Sequence, residues 1–498
     1  MKNPRTIDPK RNRWMYAIGT SGRDFFYQLY SGYLFAFILC TKNLDSAQFA
    51  AVSIVMVGCR AFDAIIDPII GRIIENTRSR WGRFKPWIVI GGVLAAFATM
   101  MIYTLPIDGW SFILLLFIGN ALLSATYSLN DIAYWGMLPA LTSKPEERTK
   151  LTSLSQFFAS VGFALAVLLI PTLTNGSKAI GGSAVTAYRI MALLCCLAMW
   201  GTQLFTVFGT HEPPHTVLNA QKAPKLKLRD VIRIVFKNDQ LLWSSASTFL
   251  LGLAGIISQS NLLMFYIYIR FGYEGSLIPL SSFGFAIGGW LATAIMAKMH
   301  EKYGRQRTVA ISSLLFVAGN VFILLTGLLI PSAMQMPLFF TFSLGQILTG
   351  FGSNMFYMTM LVSIANTVEY NEHHTGKRQE ALIFSVRPFV SQMSSAVSLA
   401  VVSAVFIVLG LNSVSTEMST LENQAAQNLL DAATKNAQIT TLLSEVGMEK
   451  VRVLLIAITL IPAALVVTAC LIYRKKYFIN EEYYNKMREE TLARSTEE

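Results

Sequence analysis

The chain has 498 residues, of which 53% are hydrophobic and 14% charged, and a formal net charge of +12 at pH 7. Soluble domains average about 25% charged residues, and apolar runs long enough to cross about 30 Å of hydrocarbon recur along the whole chain. The composition therefore excludes a soluble globular protein and predicts an all-α, multi-pass membrane protein. The polar, basic start "MKNPRTIDPKRNRW" lacks the apolar core of a signal peptide, so we expect the first apolar segment to remain in the mature protein.

Twelve membrane spans are predicted, in two groups of six separated by a polar linker. The spans lie near 14–40, 47–75, 87–105, 111–137, 153–174, 186–209, 241–269, 276–299, 308–330, 337–368, 381–410 and 452–473. The expected organisation is an N-terminal six-helix half (1–209), a cytoplasmic linker (210–240), a C-terminal six-helix half (241–473) with an external loop (412–450), and a cytoplasmic tail (474–498).

Basic residues concentrate in one set of loops. With the N terminus placed in the cytoplasm, most of the 41 Lys and Arg residues fall in cytoplasmic segments, as the positive-inside rule requires. We therefore expect a cell-membrane protein with both termini cytoplasmic, and no nucleic-acid partner in spite of the positive charge. The five cysteines lie in or beside apolar spans without CxxC spacing, which predicts neither a disulfide framework nor a metal site.

Predicted spans 1 and 2 carry charges that lipid cannot solvate. Arg23 and Asp24 lie among aromatic residues in "GRDFFYQLY", and Arg60, Asp63 and Asp67 lie in "CRAFDAIIDPIIGR". The last three stand at i, i+3 and i+7, so they share one face of a helix. A charge at the bilayer centre costs about 2.5–3.5 kcal/mol, so this face must point to the bundle interior or to an aqueous cavity.

The two aspartates of span 2 predict an ion-coupling site. Carboxylates about one turn apart repel, so either one binds a proton or a cation joins both. Pro68 has no N–H and leaves the carbonyl of Ala64 without its helical donor, which adds an oxygen ligand of the kind that Na⁺ prefers. The alternative is a salt bridge that only fixes the packing of the helix. It explains Arg60 and one aspartate but leaves the second unexplained.

Span 4 contributes a carboxylate surrounded by aromatic residues. In "TYSLNDIAYWGMLP", Tyr127 and Trp135 lie one turn before and one turn after Asp131. A carboxylate can accept hydrogen bonds from two neighbouring hydroxyls of a sugar, and aromatic rings pack on the apolar C–H faces of a pyranose ring. The pattern therefore favours a neutral sugar or polyol over a hydrophobic drug. Trp135 alone could equally be a packing or interfacial aromatic, and its i, i+4 spacing from Asp131 favours a shared site.

A repeated loop motif predicts that the two halves are related. "WGR" at 81–83 follows span 2, and "YGR" at 303–305 follows span 8, the equivalent position in the second half. Gly and Arg are ordinary in cytoplasmic turns, but here position and spacing both match. Parallel six-helix repeats are the layout of major facilitator transporters, which bind substrate near the bilayer midplane.

The predicted external loop 412–450 shows partial helical periodicity. Leu421, Ala425, Leu429 and Leu430 recur at helical spacing. The segment forms either a short external helix or a mobile loop, and the periodicity does not decide between the two.

Several stretches resemble one transporter family. "DAIIDPIIGRIIENTRSRWGRFKPW" is similar to the signature of the glycoside–pentoside–hexuronide:cation symporters. The chain resembles that family in four further stretches, "GRDFFY", "NDIAYWGMLPALT", "KNDQLLW" and "VEYNEHHTGKRQEALIFSVRP". The similarity covers both halves, and it implies the twelve-helix major facilitator fold and uptake of glycosides with H⁺, Na⁺ or Li⁺.

The resemblance also implies roles for single residues. By position, Asp63 and Asp67 match the family's cation-site carboxylates, while Ser128 matches a hydroxyl ligand and Arg60 a nearby charged residue. The positions implied for sugar binding are those of Arg23, Asp24, Asp131 and Trp135.

The chain departs from the family pattern at several positions. Ile66 replaces an Asn that often precedes the second aspartate, which removes a polar group beside the cation site. Gln156 and Gln392 stand where the family often has an arginine and a lysine. A neutral sugar is therefore expected rather than a charged hexuronide, although Arg387 could compensate for the missing charge. The candidates for substrate binding thus include Tyr127, Gln156, Arg387 and Gln392 as well.

A short charged tail follows about residue 473, so we expect no regulatory domain of the lactose-carrier kind.

The sequence thus predicts a secondary symporter that imports a glycoside, a neutral di- or oligosaccharide or a related sugar, by alternating access. We expect no enzymatic activity and no cofactor, because no P-loop or catalytic constellation is found, and a functional monomer in the lipid bilayer. H⁺ is expected as coupling ion in preference to Na⁺ or Li⁺. A proton needs only one carboxylate that can take it up, whereas Na⁺ needs several oxygen ligands, and Ile66 removes one polar group from that set. An uncoupled sugar facilitator or a membrane sugar sensor of the same fold is the alternative.

Overall fold

The structure is a computed structural model that describes residues 9–142, 145–211, 237–330, 334–375, 383, 386–480, 482–487 and 489–490. Within these residues the regular secondary structure is helical, and no β-strand occurs. Most of the predicted linker 210–240, part of "VEYNEHHTGKRQEALIFSVRP", the side chains of Ala64 and Pro68, and the end of the predicted tail lie outside the described residues.

The α-helices of the first half of the chain precede the linker. They are α1 (Pro9–Ser31), α2 (Leu34–Thr41), α3 (Ser46–Asn76), α4 (Lys85–Thr104), α5 (Gly109–Ala140), α6 (Pro145–Thr174) and α7 (Ala184–Gly209). The helices after the linker are α8 (Asp239–Ser258), α9 (Asn261–Phe271), α10 (Leu277–Leu329), α11 (Gln335–Thr375), α12 (Val386–Val408), α13 (Leu411–Ala426), α14 (Ala432–Ser444) and α15 (Met448–Lys476).

The helices match the predicted spans, and the protein is a multi-pass, all-α membrane protein. Nine helical stretches of the described residues are long and apolar enough to cross a bilayer, and one of them, α10, contains predicted spans 8 and 9. Helices α1 and α3, which correspond to the charged spans 1 and 2, are not among the nine. In α3, the stretch Ser46–Arg60 is found as a shorter apolar helix.

Capping residues and glycines fix where individual helices begin and where the backbone turns. At the start of α3, the Asp45 side chain accepts from the Gln48 backbone N–H at 2.8 Å and the Gln48 side chain accepts from the Asp45 backbone N–H, a capping box. Gly82 has φ 103° and Gly304, inside α10, has φ 69°. Glycine adopts positive φ angles at low cost, so both glycines of the repeated loop motif stand where the backbone requires a positive φ.

Contacts divide the chain into two compact units. Unit 1 comprises Met1–Lys225, Tyr273–Ser276 and Leu411–Leu442, and unit 2 comprises Leu226–Gly272, Leu277–Gly410 and Leu443–Glu498. Unit 1 therefore includes residues 411–442, which lie within the C-terminal half of the chain.

In unit 1, helix α1 packs closely on α6 and α7 because small residues let the backbones approach. A Cβ at Gly162 would lie 2.0 Å from the carbonyl oxygen of Ser21, and one at Gly19 would lie 2.1 Å from Oγ1 of Thr206. The Tyr16 hydroxyl donates to the Tyr134 carbonyl oxygen at 2.7 Å, which also ties α1 to α5. Helix α1, which carries Arg23 and Asp24, is thereby held in place against α5, which carries Asp131.

The segment predicted as an external loop is a helical hairpin, α13 and α14, that docks on unit 1. Its two helices are held together by a fully buried ion pair, in which Lys435 Nζ lies 3.0 Å from a Glu422 carboxylate oxygen. Glu422 also accepts from the backbone N–H of Ala184 at 2.5 Å and from the Tyr273 hydroxyl at 2.8 Å. Of the two readings left open by the sequence, the helix is correct and the mobile loop is wrong.

Candidate functional site

An ionic group lies between α1 and α5 in unit 1. Arg23 Nη2 lies 2.5 Å from Asp24 Oδ1, and Arg23 Nη1 lies 2.9 Å from Asp131 Oδ1. The arginine side chain is 4% exposed, whereas Asp24 is 22% and Asp131 36% exposed. Two carboxylates share one guanidinium, so the group has one surplus negative charge if both ionise, and its carboxylates keep an open side.

Aromatic rings surround this group. The Arg23 guanidinium carbon lies 4.7 Å from the ring centroid of Trp135 and 5.2 Å from that of Tyr134, distances typical of cation–π contacts. Tyr127 is buried next to the group and stacks on Tyr27 with centroids 5.1 Å apart. The structure thus brings together Arg23, Asp24, Tyr127, Asp131 and Trp135, which the sequence singled out for sugar binding.

The second ionic group lies where α3 meets α5. The hydroxyl of Ser124 donates to Asp63 Oδ1, and the Asp63 side chain is buried. The Arg60 guanidinium lies over the Tyr30 ring, 5.5 Å from its centroid. Arg60 therefore faces the aromatic side of α1 while it remains near Asp63.

Asp67 is the least satisfied member of this group. Its Oδ1 atom is buried and has no hydrogen-bond partner among the described residues. The Ser128 hydroxyl approaches the same carboxyl group, and Asp131 is close enough to interact with it electrostatically. A buried carboxyl oxygen without a donor is costly, and a bound proton or cation would satisfy it.

Helix α5 connects the two ionic groups through one face. Ser124 contacts Asp63, Ser128 contacts Asp67, and Asp131 contacts Arg23. Positions 124, 128 and 131 stand at i, i+4 and i+7, the spacing of one helix face. One face of α5 thus contacts both ionic groups.

The sequence reasoning missed Ser124. Its signal was available, because Ser124 lies one turn before Ser128 on the face that also carries Asp131. Neither the aromatic contact of Arg60 with Tyr30 nor the Arg23–Asp131 pair can be read from spacing alone, because each joins residues on different helices.

Three predicted substrate-binding residues are not part of this cluster in the described contacts. Gln156 lies exposed on α6. Arg387 and Gln392 lie on α12 in unit 2, where Arg387 Nη2 donates to the Tyr357 hydroxyl at 2.9 Å. Their roles in substrate binding stay predictions. Ile66, the residue that departs from the family pattern, packs against the buried hydrophobic core of unit 1.

The described residues contain no group of three or more His, Cys, Asp or Glu side chains arranged to hold a metal ion. The oxygen atoms near Asp63 and Asp67 include those of the two carboxylates and the hydroxyls of Ser124 and Ser128. Oxygen-only groups suit hard monovalent cations as well as protons, so the geometry alone fits either ion.

The chain is similar to known transport proteins over most of its length. A family model described as MFS/sugar transport protein matches residues 15–481. The chain is 29% identical over 412 residues to the lactose permease of Lactobacillus helveticus, covering 80% of this chain and 62% of that protein. It is 28% identical to the raffinose carrier protein of Pediococcus pentosaceus, covering 82% of this chain and 64% of that protein. The chain thus spans less than two thirds of the length of these two relatives.

Solved structures share the fold at low sequence identity. The nucleoside transporter NupG superposes with a TM-score of 0.55 at 15% identity, covering 90% of this chain and 98% of that chain. At this identity the likeness concerns the fold alone, and it agrees with the helical architecture expected of a major facilitator transporter.

Proposed function

The chain belongs to the MFS/sugar transport protein family, within the glycoside–pentoside–hexuronide:cation symporters, and on this basis we propose that it imports a neutral glycoside together with a monovalent cation. The observation that carries the proposal is the single face of α5, where Ser124, Ser128 and Asp131 contact both ionic groups. A symporter needs such a physical connection, because coupling requires that each ligand bias the same element.

The sugar is assigned to the group around Arg23. Asp24 and Asp131 each keep an accessible carboxylate side, which can accept from neighbouring sugar hydroxyls, while Trp135 offers an apolar ring face next to them. Arg23 holds both carboxylates in place and limits their repulsion. The relatives named lactose permease and raffinose carrier protein make lactose and raffinose the first substrates to test.

The cation is assigned to Asp63 and Asp67, with Ser124 and Ser128 as hydroxyl partners. Between H⁺ and Na⁺ or Li⁺ we favour H⁺, because the partnerless Oδ1 of Asp67 can be satisfied by one proton. The apolar Ile66 supplies no further oxygen for a metal cation. We further propose that the protein works as a monomer in the cell membrane by alternating access, with both termini in the cytoplasm.

Uptake into membrane vesicles tests the proposal. Radiolabelled lactose or raffinose is offered while a pH gradient, a Na⁺ gradient or a Li⁺ gradient is imposed separately. We expect accumulation that follows the pH gradient and is abolished by a protonophore. Accumulation driven by Na⁺ and indifferent to the protonophore would reassign the ion. Equilibration without accumulation under all three gradients would identify a facilitator, and sugar binding without any flux a sensor.

A further inference from the structure

A cavity of about 160 Å³ lies in unit 2 where helices α9, α10 and α15 meet. Its walls combine the cationic side chains of Arg270 and Arg452 with the Tyr266 side chain and with apolar groups such as Leu455. None of these residues belongs to the sugar or cation groups of unit 1. The cavity therefore calls for its own explanation.

The polar wall of the cavity is organised for an anion. Arg270 Nη2 donates to the Ile330 carbonyl oxygen at 2.8 Å, which anchors the guanidinium at the end of α10. The Tyr266 side chain is 1% exposed, and apart from its approach to Arg270 its hydroxyl has no hydrogen-bond partner among the described residues. None of the described lining residues is acidic, so the cavity combines positive charge with an available hydroxyl donor.

Gly327 lets α10 pack closely against neighbouring side chains at the cavity wall. A Cβ atom built on this glycine would lie 2.6 Å from Leu455 Cδ2 and 2.9 Å from the Tyr266 hydroxyl. Both distances are shorter than van der Waals contact, so a larger side chain would displace Leu455 and Tyr266, which both line the cavity.

The border of the cavity is apolar and faces outward. Leu328 and Met448 line it and are exposed, as are the neighbouring Leu329 and Val453. In a protein that spans a bilayer, such exposed apolar side chains at helix ends contact acyl chains, while arginines at the same level reach the headgroups. A free anion would use the arginines only, whereas a phospholipid would use both surfaces.

We propose that this cavity binds the phosphate group of an anionic phospholipid at the membrane boundary, with Arg270, Arg452 and Tyr266 contacting the phosphate oxygens. The lipid's acyl chains lie along the exposed apolar surface formed by Leu328, Met448 and Val453. By the topology expected from the Lys and Arg distribution, the site is on the external side. It is independent of the proposed transport function.

Binding of fluorescent phosphatidylglycerol to the full chain in nonionic detergent tests the proposal. Arg452→Gln removes an exposed cation of the cavity, and Lys450→Gln removes an equal, exposed charge two residues away that does not line it. We expect Arg452→Gln to weaken phosphatidylglycerol binding about tenfold, the size typical of one lost charge-assisted hydrogen bond, and Lys450→Gln to leave it within about twofold. Gly327→Val should block binding without any change of charge.

Three outcomes would overturn the assignment. Equal losses for Arg452→Gln and Lys450→Gln would indicate diffuse surface attraction rather than a site. Equal binding of phosphatidylcholine to the unmodified chain would exclude selection for an anionic lipid. Inorganic phosphate that competes as strongly as phosphatidylglycerol would show a site for a free anion instead of a lipid. Because Arg452 is exposed, its variant keeps the test decisive even if Gly327→Val does not fold.

Discussion

Two of the ionic groups in unit 1 are built in opposite ways. The pair Glu422–Lys435 joins one carboxylate to one ammonium, both fully buried, and backbone groups of Ala184 and Gly182 complete the contacts. The group around Arg23 joins two carboxylates to one guanidinium and leaves both carboxylates partly exposed. The first group is neutral and closed, and the second is charged and open.

The difference indicates a structural role for the first group and agrees with the binding role proposed for the second. Buried charges are tolerated only when they are paired and hydrogen-bonded, a condition that Glu422 and Lys435 meet without any ligand. The carboxylates near Arg23 meet it only in part, and their open sides are where a polyhydroxylated ligand can complete the hydrogen bonds. Mutations should therefore affect mainly folding at the first group and mainly binding at the second.

The largest effect is expected when the closed pair is broken. Glu422→Ala leaves Lys435 as an unpaired buried cation, and such losses cost about 3–5 kcal/mol. Thermal unfolding of the detergent-purified protein measures the loss. Glu417→Ala, which removes an exposed carboxylate from the same helix, serves as the matched control and should change the unfolding temperature little. Recovery in the double variant Glu422→Leu/Lys435→Met is expected, because no unpaired charge then remains; a double variant as unstable as Glu422→Ala alone would contradict this account.

At the open group the loss should appear in sugar affinity. Asp24→Ala and Asp131→Ala each leave sugar hydroxyls unpaired at the proposed sugar site, at a cost of about 1–3 kcal/mol, or about fivefold to 150-fold in Kd. Their unfolding temperatures should fall less than that of Glu422→Ala, because partly exposed carboxylates are already hydrated in the free protein. Equilibrium binding of labelled sugar gives the affinities. Unchanged affinity in both variants would move the sugar site elsewhere.

The group of Asp63 and Asp67, the proposed cation site, should respond differently from both. Asp63→Asn or Asp67→Asn removes the titrating carboxylate while the sugar group stays intact, so gradient-driven accumulation should disappear and sugar exchange between two equal pools should continue. Ser124→Ala removes a single donor to Asp63 and should weaken accumulation by only about 0.5–1.5 kcal/mol of coupling, a few-fold change. Parallel accumulation and counterflow assays on the same vesicles separate the two properties, and full accumulation in both aspartate variants would contradict the cation assignment.

The sequence predicted what depends on local patterns. The apolar spans, the shared face of Arg60, Asp63 and Asp67, and the glycine turns follow from composition and helical spacing, and the helices and backbone angles agree with them. Long-range partners could not be predicted in this way. The bond between Ala184 and Glu422 joins residues 238 positions apart, so the docking of α13 and α14 on unit 1 has no signal in any local window.

The smallest expected effect concerns the choice of coupling ion, and it depends on the side chain of Ile66. Ile66 is partly buried against the core cluster that includes Ile70 and precedes Asp67 in α3. Ile66→Asn would place an amide oxygen beside the two aspartates, and an added oxygen ligand helps a metal cation more than a proton. We expect the ratio of Na⁺-driven to H⁺-driven uptake to rise by a few-fold, since a single neutral ligand contributes about 1 kcal/mol. Ile66→Leu, which keeps the volume and adds no oxygen, controls for the altered packing and should leave the ratio unchanged. An equal shift in both variants would show that packing around α3, rather than the ligand shell, sets the ion preference.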